Sequence, residues 1–192
     1  ELELGIGRVP VDFEGAQRES LGFLRAPAAT FGQCLAAQEI APALCLNAED
    51  FSTAAPIQQV TAGLEFIVAP LASRDALSRC APQKGPLDDL EKRGLRPFVY
   101  VFCTEPIDEE NQVASRFFFE TNGMREDPAT GSATGVLGHY LVEHRFFDSA
   151  RIALRVEQGV QMGRPSLLYL RAQPDDVRVG GQVFEVAKGE IF

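Results

Sequence analysis

The sequence predicts an α+β domain, and three features of it lead there. Short runs of β-branched, aromatic or alternating apolar residues recur along most of the chain, bounded by glycine, proline and polar turns. Only a few stretches carry helical spacing, and most of those are short. One of them, with Val136, Leu137, Tyr140, Leu141 and His144 in register, is apolar yet interrupted by Gly135 and Gly138. Each glycine costs a helix about 1 kcal/mol relative to alanine, so something other than propensity must hold it there. Close approach of surrounding backbone is the expected reason, as for a helix enclosed by strands.

In chain order, Leu2, Leu4 and Ile6 alternate with Glu1, Glu3 and Gly5, the pattern of an edge or half-buried strand. Val9 to Phe13 and Leu21 to Leu24 read as two further strands around the turn Glu14-Gly15-Ala16, and Ala26-Pro27 to Thr30 as a connector. Gln33 to Leu46 reads as a short helix that Pro42 must end or kink. A loop around Asp50-Phe51-Ser52 leads to strands at Pro56 to Thr61 and Leu64 to Pro70. Ser73 to Cys80 reads as a helix capped by Ser73, and Leu87 to Arg93 as another that stops at Gly94. Phe98 to Cys103 is a continuous apolar run and predicts a central strand. Glu105 to Asn111 reads as an acidic loop with a solvated face, and Ala114 to Glu120 as the next strand. Strands at Arg151 to Gln158, at Ser166 to Arg171 and on either side of a Gly180-Gly181 turn complete the chain.

Composition narrows the function. With 192 residues, 45% of them hydrophobic, the chain can bury a core as one large domain or two small ones. A net charge of -9 argues against a broad nucleic-acid footprint and against docking on anionic lipid. No apolar run is long enough to cross a bilayer, and the residues from Glu1 onward do not resemble a signal peptide, so a cytoplasmic location is expected. Cys34, Cys45, Cys80 and Cys103 are scattered, with no Cys-x-x-Cys pair, and read as buried thiols rather than a disulfide scaffold or a zinc site. His139 and His144 stand five apart, the wrong spacing for two ligands on one helical face. His139 is assigned no role, and His144 belongs to the apolar stripe. Gly5-Ile6-Gly7 lacks the third glycine and the helix of a dinucleotide fingerprint. Nothing in these patterns calls for a metal, nucleotide or flavin.

The stretch Glu126-Asp127-Pro128-Ala129-Thr130-Gly131-Ser132-Ala133 stands at the head of the apolar helix. Taken locally, Asp127 is a helix N-cap and Pro128 a first-turn proline. The alternative is an active site, with a carboxyl group beside the N–H groups of Gly131 and Ser132. Those groups and the helix dipole favour a bound anion such as a substrate carboxylate.

The run EDPATGSA followed by an apolar helix resembles the signature of the PhzF family, named for the phenazine-biosynthesis isomerase. Val60-Thr61-Ala62-Gly63 and the apolar strand to Leu71 resemble that family's threonine-x-glycine segment. Glu157-Gln158-Gly159 with Met162-Gly163-Arg164-Pro165-Ser166 resembles its later turn, and Val179-Gly180-Gly181-Gln182-Val183 its closing hairpin. The resemblance implies a diaminopimelate-epimerase-like fold, in which two similar lobes each wrap a curved, mostly antiparallel sheet around a central helix. Residues 1–25 would then be remnant strands of the N-terminal lobe, and 26–192 the C-terminal lobe.

What the resemblance implies for chemistry is cofactor-independent isomerisation of a small carboxylic acid by carboxyl general acid/base proton transfer. Asp127 matches the active-site aspartate, and Gly131 and Ser132 match the residues that hold the substrate carboxylate. Glu126 is given no catalytic role and is expected to tune charge or face solvent. The family's serine-glutamate-threonine motif, which carries the proton-transferring glutamate, and its glycine-histidine-proline turn have no counterpart in these residues. Half of an inter-lobe site is therefore expected here, its partners being the missing N-terminal lobe and, by resemblance, a second copy in a homodimer. Relatives on this fold that use two thiols place a cysteine at the head of the equivalent turn. The last cysteine here, Cys103, lies well before it, which disfavours a racemase of that kind. The alternative of another class is a non-catalytic lobe acting as a small-acid binding or assembly module.

Overall fold

Val99, Tyr100, Val101, Phe102 and Cys103 are all buried, and they point alternately into two different cores. That requires a strand covered on both faces, and the sheet is built outward from it. The computed structural model describes residues 1–4, 7–15, 20–120, 123–187 and 189–190. In chain order the strands are β1 (Leu2–Leu4), β2 (Gly7–Val9), β3 (Val11–Glu14), β4 (Ser20–Arg25), β5 (Thr30–Leu35), β6 (Ile57–Ala62) and β7 (Leu64–Pro70). There follow β8 (Val99–Cys103), β9 (Val113–Glu120), β10 (Met124–Asp127), β11 (Ile152–Gln158), β12 (Ser166–Gln173) and β13 (Asp176–Val183). The helices are α1 (Ala37–Ile40), α2 (Arg74–Arg79), α3 (Lys84–Lys92) and α4 (Gly131–Glu143).

One sheet runs in the order β3-β4-β13-β12-β11-β9-β8-β7-β6-β5, and β1 and β2 form a separate hairpin. Its pairings are antiparallel except β9 with β11 and β7 with β8. The first part of β9 pairs with β11, and its second part pairs with β10, which turns back as a hairpin off the sheet. Helix α4 packs against β12 and β13 and also against β6 and β7, which lie far apart in the strand order. The sheet must therefore curl around α4. Residues α4 contributes to this inner core include Val136, Leu137, Tyr140 and Leu141, which meet Tyr100 and Phe102. On the other face α2 packs on β8, and Leu77 of α2 and Leu87 and Leu90 of α3 belong to the outer core there. The result is an α+β fold with a sheet wrapped around a central helix.

The two interior glycines of α4, Gly135 and Gly138, are needed for that enclosure, although the close neighbours are side chains rather than backbone. A Cβ at Gly138 would stand 2.7 Å from Val177 Cγ1 and 2.8 Å from Leu170 Cδ1, and one at Gly135 2.9 Å from Ala26 Cβ. Strand β4 pairs with β13, so residues 20–25 share the sheet with the C-terminal strands.

Several elements differ from the sequence expectation. Thr30 to Leu35 is a strand, because β6 offers it a hydrogen-bonding edge (Thr30 opposite Thr61, Leu35 opposite Ile57). Helix is left only for α1 and for a 3-10 turn at Ala41–Leu44 that holds Pro42. The run from Val9 to Phe13 is broken at Pro10 into β2 and β3. Gly180-Gly181 is no turn: β13 runs straight through it, and the chain reverses earlier, around Pro174-Asp175. Gly180 is required there because Phe23 of β4 lies across it, its ring carbons 2.6 Å from where a Cβ would be. Cys80 and Cys103 are buried as expected, whereas Cys34 and Cys45 are exposed. Ser73 caps α2 by accepting from the Ala76 N–H, and Gly94 ends α3 with φ +83°, both as the sequence indicates. Ile6 and Ala16, which the sequence places in a strand and a turn, lie outside the described residues.

The enclosure of α4 is testable at its glycines. Gly138→Ala is expected to destabilise by about 1–2 kcal/mol, since overpacking outweighs the propensity gain. Gly85→Ala in α3, where a Cβ meets nothing within 4 Å, is expected to be neutral or stabilising. Urea unfolding of the two variants measures the difference.

Candidate active site

The stretch at the head of α4 folds differently from a plain helix cap. Glu126 and Asp127 are the last two residues of β10, opposite Phe118 and Phe117 of β9. Helix α4 starts only at Gly131, with Thr130 at the N-cap position. Asp127 is therefore not the N-cap and Pro128 not in the first turn. The local preference of Asp-Pro for a helix start is overridden because β9 supplies a pairing edge through Asp127. In successive strand residues the side chains point to opposite faces, so Glu126 and Asp127 enter different surroundings.

Glu126 is held by Arg116 of β9. Arg116 Nε and Nη2 donate to its two carboxylate oxygens at 2.9 and 2.8 Å. The same guanidinium donates through Nη1 to the carbonyls of Leu77 and Cys80 at the end of α2, 3.0 and 2.8 Å away. Its carbon lies 4.7 Å from the centre of the Phe118 ring. Both side chains are largely buried, at 9% and 15% exposed. The expectation that Glu126 faces solvent is corrected: it is the inward anchor of the strand that presents Asp127.

Asp127 is half-buried and faces the other way. Its Oδ2 accepts from the Thr130 hydroxyl at 2.6 Å. Gln158, at the end of β11 and only 1% exposed, reaches into the same turn. Its Nε2 donates to the Asp127 carbonyl at 2.7 Å and to Thr130 Oγ1 at 2.9 Å, and its Oε1 accepts from the Thr130 N–H at 3.2 Å. Gly159 follows with φ +79°, and a Cβ there would lie 2.7 Å from the Pro128 carbonyl oxygen and closer still to that of Arg164. The Glu157-Gln158-Gly159 turn thus packs directly on the Asp127-to-Thr130 turn. Beneath them Thr134 donates to the Thr130 carbonyl at 2.9 Å and lies 3.1 Å from the Tyr100 hydroxyl. Burial pushes Tyr100 above the usual phenol range, against the lowering effect of its Ser115 and Thr134 hydrogen bonds.

Gly131 and Ser132 are exposed and line a pocket of about 350 Å³ with Val9, Leu24, Ala62, Gly63, Leu64 and Val179 among others. A Cβ built on Gly131 meets nothing within 4 Å, so the space beside it is open. The Thr130 hydroxyl does not cap the helix, being turned to Asp127. The N–H groups of the first turn have no intrahelical acceptor, as at any helix N-terminus. The pocket walls are apolar, and Gly63 belongs to the threonine-x-glycine segment, so two separate sequence motifs meet in it. Asp127 does not line this pocket but sits at the far end of the same turn.

Other titratable groups stand apart. His139 lies near the connector with Nε2 2.9 Å from the Pro27 carbonyl, and burial lowers its pKa. It lines a cleft of about 700 Å³ with Arg25, Glu143, Arg145 and Asp175. His144, also lowered by burial, pairs through Nε2 with Gln58 Oε1 at 2.8 Å. Cys80 is pushed up to about 12 by burial, which makes it an inert thiol. The acidic loop 105–111 keeps its charges outward, but its backbone is pinned by the buried Glu157. That carboxylate accepts from the N–H groups of Ile107 and Asp108, each at 2.8 Å, and from the Asn111 amide at 2.7 Å. Among the described residues no three His, Cys, Asp or Glu side chains gather to hold a metal ion. Among them, no helix is long and apolar enough to cross a membrane.

Residues 1–189 match the family model described as PhzC-PhzF, phenazine biosynthesis-like protein. The chain belongs to this family. The trans-2,3-dihydro-3-hydroxyanthranilate isomerase of Pseudomonas aeruginosa is 31% identical over 179 residues, covering 93% of this chain and 60% of that protein. An uncharacterised isomerase of Clostridium acetobutylicum is 27% identical over 161 residues, covering 80% of this chain and 53% of its own length. The crystal structure of a PhzF-family phenazine biosynthesis protein from Bacillus anthracis superposes with TM-score 0.82 at 23% identity. It covers 94% of this chain and 64% of its own, and supports the fold alone. A protein described as a predicted epimerase from Pseudomonas aeruginosa gives TM-score 0.72 at 29% identity over the same shares. The chain spans about half the length of the curated relatives it matches.

Gln158, which the sequence analysis places in the Glu157-Gln158-Gly159 motif without a role, and Arg116, which no motif includes, are the residues that the motif reading missed. Arg116 stands next to the apolar run Phe117-Phe118-Phe119, a signal present in the sequence, whereas Gln158 follows Arg155 and Glu157 in a strand of mixed polarity and does not stand out. Removing Arg116 leaves Glu126 unpaired in a largely buried position. Arg116→Ala is expected to cost about 3–5 kcal/mol in urea unfolding, whereas Lys92→Ala, which loses its pairing with the equally exposed Asp89, should cost at most about 1 kcal/mol.

Proposed function

We propose that this chain is the part of a PhzF-type isomerase that supplies Asp127, Gly131 and Ser132 to a site acting on a small carboxylic acid. The observation that carries this reading is the turn itself. It sets a carboxyl group, hydrogen-bonded by Thr130, which Gln158 holds in turn, a few residues before a helix N-terminus that opens into an apolar pocket. The helix end is suited to a substrate carboxylate, and the apolar walls to a small hydrocarbon skeleton. Isomerisation takes a proton from an acidified carbon and returns one at another position of the same molecule, so no redox equivalent is consumed. The carboxyl groups act as general acid and base, and the anion seat stabilises charge that develops on the carboxylate-bearing part. By resemblance, the glutamate that carries the transferred proton lies outside these 192 residues. Support for the class comes from the family membership and from the isomerase names of the relatives.

The test is carbon-bound deuterium exchange in D2O, followed by NMR, with the whole protein. Trans-2,3-dihydro-3-hydroxyanthranilate, the acid in a relative's name, is the first probe, followed by other small unsaturated acids. Exchange is expected in the wild type and is expected to fall by about 10²-fold or more in Asp127→Asn, with the melting temperature nearly unchanged. Full exchange in that variant removes Asp127 from the mechanism. Saturable binding of an acid with no exchange would favour the binding-module reading instead.

A further inference from the structure

Gln158 is buried to 1% exposure, and its side-chain amide makes three hydrogen bonds to the Asp127-to-Thr130 turn. Two of them are to backbone groups whose roles cannot change. The Thr130 N–H can only donate, so the atom facing it must be Oε1; the Asp127 carbonyl can only accept, so the atom facing it must be Nε2. A flipped amide would set donor against donor and acceptor against acceptor. The orientation is therefore fixed by the backbone, and with it the second Nε2 hydrogen, which donates to Thr130 Oγ1. Having accepted that hydrogen, the hydroxyl has its own proton left, and the remaining partner within reach among the described residues is Asp127 Oδ2, 2.6 Å away.

We propose that Gln158 and Thr130 are positioning residues for Asp127: Gln158 dictates the direction of the Thr130 hydroxyl, which donates permanently to Oδ2 and leaves Oδ1 as the oxygen open to substrate. This rests on the reading of Asp127 as an active-site carboxyl. The consequence is chemical as well as steric. A carboxyl group free to rotate presents either oxygen, in either protonation state, to an incoming acid. Here the rotation is stopped, and one oxygen is occupied by a donor in both protonation states, so proton exchange is confined to the other. The anchors lie outside the turn. Gln158 is 28 residues from Thr130 and 31 from Asp127 in sequence, and Gly159 permits the close approach that no residue with a Cβ would. On the opposite side of β10 the Arg116–Glu126 pair holds the preceding residue, so the strand is gripped from both faces.

Two measurements test it. A neutron crystal structure of this chain after deuterium exchange shows the hydroxyl directly, with no substrate needed. A deuteron on Thr130 Oγ1 lying along the line to Asp127 Oδ2 is expected; one directed elsewhere, or a reversed Gln158 amide, overturns the proposal. The kinetic arm uses the whole protein and the exchange assay above. Thr130→Val and Gln158→Met are expected to lower kcat by about 10- to 100-fold with KM changed less than about 2-fold. Thr130→Ser, which keeps the hydroxyl, is expected to stay near wild type. If Asp127→Asn is inactive while Thr130→Val retains full turnover, the positioning role is wrong and the isomerase reading stands. If Asp127→Asn is itself fully active, the active-site reading fails and the positioning role falls with it. Should Gln158→Met fail to fold, the Thr130 Val/Ser pair carries the comparison by itself.

Discussion

A curled sheet closed around α4 is the constraint from which the rest of the structure follows. The helix is buried on nearly all sides, between β6 and β7 at one reach of the sheet and β12 and β13 at another. Such a helix cannot carry the usual polar face, and it cannot carry bulk where strands approach it. Gly135 and Gly138 sit at those approaches, facing Ala26, Val177 and Leu170. The enclosed helix reaches open surface at its N-terminus, where the pocket at Gly131 and Ser132 lies, and again at His139 and Glu143. The place of the candidate site is thus a consequence of the packing.

Enclosure also explains why the turn before α4 needs support from a distance. A helix whose first turn is uncapped and whose preceding strand leaves the main sheet as a hairpin has little local reason to hold one conformation. Two buried side chains supply the reason. Arg116 ties Glu126 to the end of α2, and Gln158 ties the Asp127 backbone and the Thr130 hydroxyl to β11. Low dielectric makes these groups costly to leave unpaired, so the native turn is the arrangement that satisfies them all. The site is held by polar groups in the core, where hydrophobic packing alone would leave rotational freedom.

Much of this was legible from residue pattern. The continuous apolar run at 98–103 marked the central strand, because a strand covered on both faces has no polar side. Ser73 and Gly94 marked the ends of α2 and α3 through local hydrogen bonding and a positive φ, which no tertiary contact can easily override. The misread segments share a cause. Residues 30–35 became a strand because β6 presented an edge to them, and Gly180-Gly181 stayed extended because β4 and β12 flank it on both sides. In each case a neighbour distant in sequence outbid a local preference. The same holds at Asp127-Pro128, where pairing with Phe117 delayed the helix to Gly131.

The sequence by itself determined the fold class, the family and most of the elements, since periodicity and short motifs are local properties of the chain. It also marked Asp127, Gly131 and Ser132 as the group to look at. What only the tertiary structure decided is how that group is arranged. It separated Glu126 from Asp127 onto opposite faces of β10, put Gly131 and Ser132 into a pocket with Gly63, and brought Gln158 onto the turn. Hydrogen-bond direction depends on which donors and acceptors meet, and here the meeting groups lie 28 and 31 residues apart. No spacing rule within a helix or a strand reaches that far, so the direction of the Thr130 hydroxyl could be read only once the sheet had closed.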